Sequence, residues 1–115
     1  MAKLQQTISL PNKIKVGSVD ISVQLIDGLV DISEDEGSFD GSKQTIILDK
    51  SIIERQNSYS LLLVLHELDH VIFDQHLLKA AEEEIIVNAF SHSTVQILRD
   101  NPDLKKWMDK CLSQN

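Results

Sequence analysis

The stretch from Asn57 to Gln75, "NSYSLLLVLHELDHVIFDQ", constrains the fold more than any other part of this chain. It holds no glycine or proline, and Leu61, Leu62, Leu63, Leu65 and Leu68 fall on every side of a helical wheel. A helix that is apolar all round has to be wrapped by other elements, so the pattern predicts a central, buried helix from about Ser58 to Gln75. Within that apolar run stand His66, Glu67 and His70. Burying such side chains without partners is costly, so their presence calls for a chemical reason.

The other elements arrange themselves around this helix. "KIKVGSVDISVQLID" alternates apolar and polar residues through Ile14, Val16, Val19, Ile21, Val23 and Leu25, with Gly17-Ser18 between the two runs as a hairpin turn. "DISEDEGSFDGSKQ" is acidic and rich in glycine and serine, a loop with a short strand near Phe39. "TIILD", residues 45–49, is a compact apolar run and predicts another strand. A second helix is expected from about Ala80 to Arg99, opening with Glu82, Glu83 and Glu84, where negative charge suits the helix dipole. Asn101-Pro102 reads as an N-cap followed by proline in the first turn of a last helix, reaching about Leu112. Strands followed by helices give an α+β class: a small N-terminal antiparallel sheet, then three helices, with the central buried one carrying the histidines.

A chain of 115 residues is expected to form one domain, 1–115, with residues 1–11 as a loose N-terminal segment. Its formal charge of −7 argues against a nucleic-acid partner, because phosphate recognition needs a clustered positive face. The longest apolar run, "LLLVL", stops at His66, far short of a membrane span. No secretory signal is expected at the N-terminus. Cys111 is the single cysteine and has no internal disulfide partner, which fits a cytoplasmic location.

His66-Glu67-Leu68-Asp69-His70 is an HExxH sequence. On a helix the two histidines lie roughly 40° apart around the axis and about 6 Å apart along it, so both imidazoles can meet one tetrahedral ion. Glu67 stands roughly 60° round from His70, on the flank of the same face. From there its carboxylate can take a proton from water whose pKa a zinc ion has lowered to about 7. A catalytic zinc needs a third protein ligand, and Asp74, His76, Glu82, Glu83, Glu84 and His92 follow downstream. Asp74 lies on the same helix and His76 points elsewhere. For Glu82 and Glu83 a solvated first turn is expected. Glu84 is favoured, because its spacing from Val87 and Ser91 suggests a face packed inward.

These motifs carry a resemblance. His66 to His70, followed by "EIIVNAFS" (Glu84 to Ser91), resembles the ImmA/IrrE family of metallopeptidases, whose pattern is HExxH and then a helix reading roughly ExxANxFA. "TIILDKSIIERQNSYSLLLVLHE" also looks like that family's strand, connector and active-site helix, and the chain is most similar to its short phage and prophage-type members. The resemblance implies a zincin-like fold, Zn2+ on His66, His70 and Glu84, and Glu67 as general base. It also implies that "TIILD" lies beside the cleft and pairs with an extended peptide, and that the substrate is a protein, such as a regulator or repressor. Asp69 departs from the glycine that many zinc peptidases carry there. Two functions follow: a zinc-dependent metallopeptidase, and alternatively a non-catalytic zincin-like binding module that docks to a protein partner. The alternative is motivated by Asp69, the small size and the lack of an evident transition-state stabiliser beyond Tyr59, His76 and His92. Trp107 and Phe73 are expected in the core or capping the sheet, and Cys111 as a buried or semi-exposed thiol.

Overall fold

A computed structural model describes residues 8–113; most of the loose segment expected over 1–11 lies outside them. The alternation in the first half becomes two strands, β1 (Lys13–Val16) and β2 (Val19–Ile26), joined at Gly17. Gly17 has φ of 63°, a left-handed conformation that glycine adopts without a Cβ penalty. Ile14 pairs with Ile21, and both are fully buried, whereas Lys13 and Lys15 face solvent. After a short helix α1 (Leu29–Ser33) come β3 (Gly37–Asp40), around Phe39 as expected, and β4 (Thr45–Asp49), the "TIILD" run.

The sheet order is β1-β2-β4-β3. Here the expectation of an antiparallel sheet needs correction. β1–β2 and β3–β4 are antiparallel, but β2 and β4 are parallel, with Val23 opposite Ile46 and Leu25 opposite Leu48. A parallel pair requires a long crossover, and residues 27–44 provide one through α1 and β3. The same topology overturns the peptide-pairing expectation for "TIILD". β4 is interior and paired on both sides, so its backbone has no free edge to offer; the edge strands are β1 and β3.

Asp49 ends β4 and caps a short helix, α2 (Lys50–Glu54), where only a connector is expected from the sequence. Its Oδ1 accepts the Ser51 and Ile52 amides at 3.0 and 3.3 Å and the Ser51 hydroxyl at 2.6 Å. Its Oδ2 accepts the Val30 amide at 3.1 Å, tying α1 to the same point. One buried carboxylate thus holds three segments together.

The long helices are α3 (Ser58–Gln75), α4 (Glu83–Asp100) and α5 (Pro102–Leu112), with a single 3₁₀ turn at Leu78–Ala80 between the first two. α3 starts on a capping box in which Asn57 Oδ1 accepts the Ser60 amide at 3.0 Å and Ser60 Oγ accepts the Asn57 amide at 3.3 Å. The Ser60 hydroxyl also lies 2.6 Å from the Ile52 carbonyl, joining α3 to α2. Leu61, Val64, Leu68, Val71 and Ile72 then pack with Ile14, Val16, Ile21, Ile46 and Leu48 of the sheet and with Leu104, Trp107 and Cys111 of α5. Full burial of each such aliphatic side chain contributes roughly 1.5–3 kcal/mol, so this cluster carries most of the fold's stabilisation.

Three further expectations change. α3 is not buried all round: Leu62 is 61 % exposed, and Leu65 and Phe73 also reach the surface, so Phe73 is no core residue. Among the described residues α5 is the most sharply two-faced helix, and it covers the flank left free by α3. Asn101 does not cap α5 with its side chain. Its amide instead reaches β1, with Oδ1 accepting Lys15 N–H at 2.8 Å and Nδ2 donating to the Lys15 and Ile97 carbonyls at 2.9 and 2.7 Å.

Candidate functional site

Residues 66–70 lie in the second half of α3, and the capped start and packed face of that helix fix their directions. Its buried apolar positions (Leu61, Val64, Leu68, Val71, Ile72) pack in the core with sheet and α5, and Glu67 is buried as well, while His66, Asp69 and His70 are exposed. The two imidazoles meet edge to face with ring centroids 4.9 Å apart, as expected for histidines one turn apart on one face. Their exposure corrects the premise that two polar rings are buried here. The costly group is Glu67.

Glu67 is only 4 % exposed. Among the described residues no donor hydrogen-bonds to its carboxylate. Burial pushes its pKa above the ordinary value, the positive forms of His70 and His66 pull it back in part, and the charge of Asp35 raises it again. Burial likewise raises the Asp69 carboxyl, which the same two histidines partly offset. Asp69 shares a small cleft with Leu65, Leu68, Thr94, Leu98 and Met108, so it faces α4 and α5, on the other flank from the cavity beside His66.

That cavity, of about 280 Å³, is lined by Glu36, Tyr59, Leu62, Leu63 and His66. The Tyr59 hydroxyl hydrogen-bonds to Glu36 Oε1. The first residue of β3, Gly37, is needed here for close approach, because a Cβ there would lie 3.0 Å from Leu48 and 3.3 Å from Leu63. The edge strand therefore passes directly against the histidine-bearing helix. Neither Glu36 nor the role of β3 was foreseen from the sequence; the acidic "EDEG" run before Phe39 was the available signal, and it read as loop.

Glu84 lies elsewhere. It sits in the exposed first turn of α4, and the face that was expected to pack inward does not: Val87 is 48 % exposed and Ser91 is exposed, whereas Ala89, Ser93 and Ile97 are buried. α4 meets the end of α3 where Ser93 Oγ lies 3.3 Å from His76 Nε2, and it returns past Leu65 and Asp69 at Thr94 and Leu98. Glu84 precedes Ser93 by nine residues, about 13 Å along the axis, so it projects beyond the end of α3 rather than alongside His70. Among the described residues no three histidine, cysteine or acidic side chains are gathered as a metal set. The imidazole pair suits a zinc ion in spacing and donor type; Glu84 is not beside it. His76 and His92 line a separate cavity with Asn88 and Ile85, away from the HExxH pair. Tyr59, by contrast, stands in the His66 cavity.

No helix among the described residues is long and apolar enough to cross a membrane. No protein-family model matches the chain, and no curated protein and no solved structure is significantly similar to it.

Proposed function

We propose that this chain is a minimal zinc-dependent peptidase of the ImmA/IrrE type, acting on a protein substrate. The observation that carries the reading is Glu67: a nearly buried carboxylate without a hydrogen-bond donor, next to two surface imidazoles one helical turn apart. Among the described residues its oxygens have no protein donor and keep only slight contact with solvent, and such desolvated acids concentrate where an acid or base is used. His66 and His70 would hold the ion; Glu84, the third ligand that the resemblance implies, lies beyond the end of α3. Bound to the imidazole pair, zinc would polarise a peptide carbonyl and acidify water.

The chain's own residues supply the proton handling. Glu67 takes a proton from the attacking water as its oxygen bonds to the carbonyl carbon, then delivers it to the amide nitrogen as the C–N bond breaks. In the metal-free protein burial raises its pKa, which favours proton uptake, and the neighbouring imidazoles offset part of that rise. Tyr59 lines the same cavity as His66, with its hydroxyl held by Glu36.

The exposed position of Glu84 supports a second reading, a zincin-like binding module that docks a protein partner without cleaving it. Two measurements separate the readings. Zinc content per chain is expected to be near one, lost in His66→Ala and His70→Ala and reduced in Glu84→Ala. Digestion of a mixed peptide library, followed by mass spectrometry, is expected to show cleavage that chelation abolishes and that Glu67→Gln abolishes with zinc retained. Zinc-loaded protein that cleaves nothing leaves the binding module; cleavage undiminished by Glu67→Gln removes the proposed mechanism.

A further inference from the structure

We infer that the cavity beside His66 is a subsite for a cationic side chain, arginine or lysine, of a bound peptide, with Glu36 as its acidic anchor. The lining has two parts that match such a side chain. Leu62, Leu63 and the Tyr59 ring form apolar walls, and Glu36 places a carboxylate among them. Arginine and lysine carry an apolar stem that ends in a charge, so stem and head each find their complement. An aliphatic side chain would fill the walls but strip water from the carboxylate without replacing it, and an acidic one would meet like charge.

Glu36 is held ready for this role. Its Oε1 accepts the Tyr59 hydroxyl, which fixes the carboxylate over the cavity, and among the described residues no donor occupies Oε2. Glu36 is half-buried, shielded enough for a charge-assisted hydrogen bond to exceed a bare surface ion pair. The formal charge of −7 adds a long-range attraction for a basic partner, while the cavity supplies the local choice. The inference deepens the peptidase reading, since it places a recognition residue of the substrate next to His66, but the pocket itself does not depend on zinc.

The test uses the full chain with and without one equivalent of zinc. An acetylated, amidated pentapeptide with a central arginine is titrated against the same peptide with citrulline, which keeps shape and loses charge. Binding is followed by amide chemical shifts in wild type, Glu36→Gln, Tyr59→Phe and Glu83→Gln. The arginine peptide is expected to bind about tenfold more tightly than the citrulline peptide, the scale of one charge-assisted hydrogen bond at a partly shielded site. Shifts should centre on Glu36, Tyr59 and Leu62. Glu36→Gln should erase the preference and Tyr59→Phe should weaken it. Glu83→Gln, which removes the same unit of charge outside the cavity, should preserve it. Equal binding of the two peptides, an unchanged preference in Glu36→Gln, or loss of zinc in Glu36→Gln would each overturn the inference, the last by making Glu36 a metal ligand. A protein that binds no zinc and cleaves nothing yet keeps the arginine preference would refute the peptidase reading and leave the subsite standing.

Discussion

Asp49 and Glu67 are both nearly sealed from solvent, at 3 % and 4 % exposure, yet the fold treats them in opposite ways. Asp49 accepts three backbone amides and a hydroxyl from α1 and α2, and those hydrogen bonds, the Ser51 hydroxyl first, hold its carboxyl below the ordinary value. Glu67 has no such donors, and burial pushes its carboxyl up. The first carboxylate has its charge stabilised by architecture. The second has no donor to offset the cost of its burial, beside two imidazoles. Equal burial with opposite electrostatics separates a carboxylate held by its donors from one held without them.

The comparison can be broken most decisively at Glu67. Under the peptidase reading, Glu67→Gln with zinc bound lowers peptide cleavage about a thousandfold, the scale of lost proton transfer in general base catalysis, as measured by kcat/KM on any peptide the library assay yields. Comparable activity in that variant would make Glu67 no more than a strained core residue. Next in size is Asp49→Ala, which leaves the Ser51, Ile52 and Val30 amides without their acceptor and is expected to destabilise the fold by about 2 kcal/mol, read by urea unfolding followed on the buried Trp107. A loss below about 0.5 kcal/mol, the range of ordinary surface substitutions, would show that the cap does not hold the three segments.

Smaller and opposite in sign, Glu67→Gln in metal-free protein is expected to stabilise by about 1 kcal/mol, because it removes a desolvated charge that has no donor. The same unfolding experiment on chelated samples decides it.

The pH dependence sharpens the contrast. Asp49 has a lowered folded pKa, so its stabilisation is fully present above the ordinary 3.8 and is lost as pH falls through the folded value; Asp49→Asn should flatten that acid limb. Glu67 has a raised folded pKa, so its contribution is fully present below the ordinary 4.5 and is lost as pH rises through the folded value; Glu67→Gln should flatten that limb instead. Both follow from stability against pH in the two variants. The smallest effect belongs to Glu84→Ala, exposed in the first turn of α4, which should change metal-free stability by less than about 0.5 kcal/mol while reducing zinc content.

Much of the local structure was legible. The alternation of Lys13 to Val16, the Gly17 turn, the strand at Phe39 and the Asn57 start of α3 all follow from contacts within a few residues, where backbone geometry and nearby side chains decide. α2 escaped because it is only five residues long and its signal is a single capping aspartate that also ends a strand. The site was legible in part. HExxH spacing placed His66 and His70 on one face, since helical geometry alone does that. It did not reveal which of the three residues is buried, because leucines on all sides of α3 hid the direction of the core. Nor did spacing orient α4: the inward face of that helix is set by what Ala89, Ser93 and Ile97 meet, not by their order.

By itself, then, the sequence determined where the strands and the long helices lie, an α+β class, and a pair of imidazoles one turn apart, because these rest on periods of two and 3.6 residues and on side chains that cap their own neighbours. Only the tertiary structure decided that β4 pairs in parallel with β2, that β3 rather than β4 is the edge strand beside the histidines, that Glu67 is the sealed carboxylate, and that Glu36 rather than Glu84 stands in the cavity next to His66. Those outcomes depend on which distant segments cover each other's apolar faces, and chain order leaves that choice to packing.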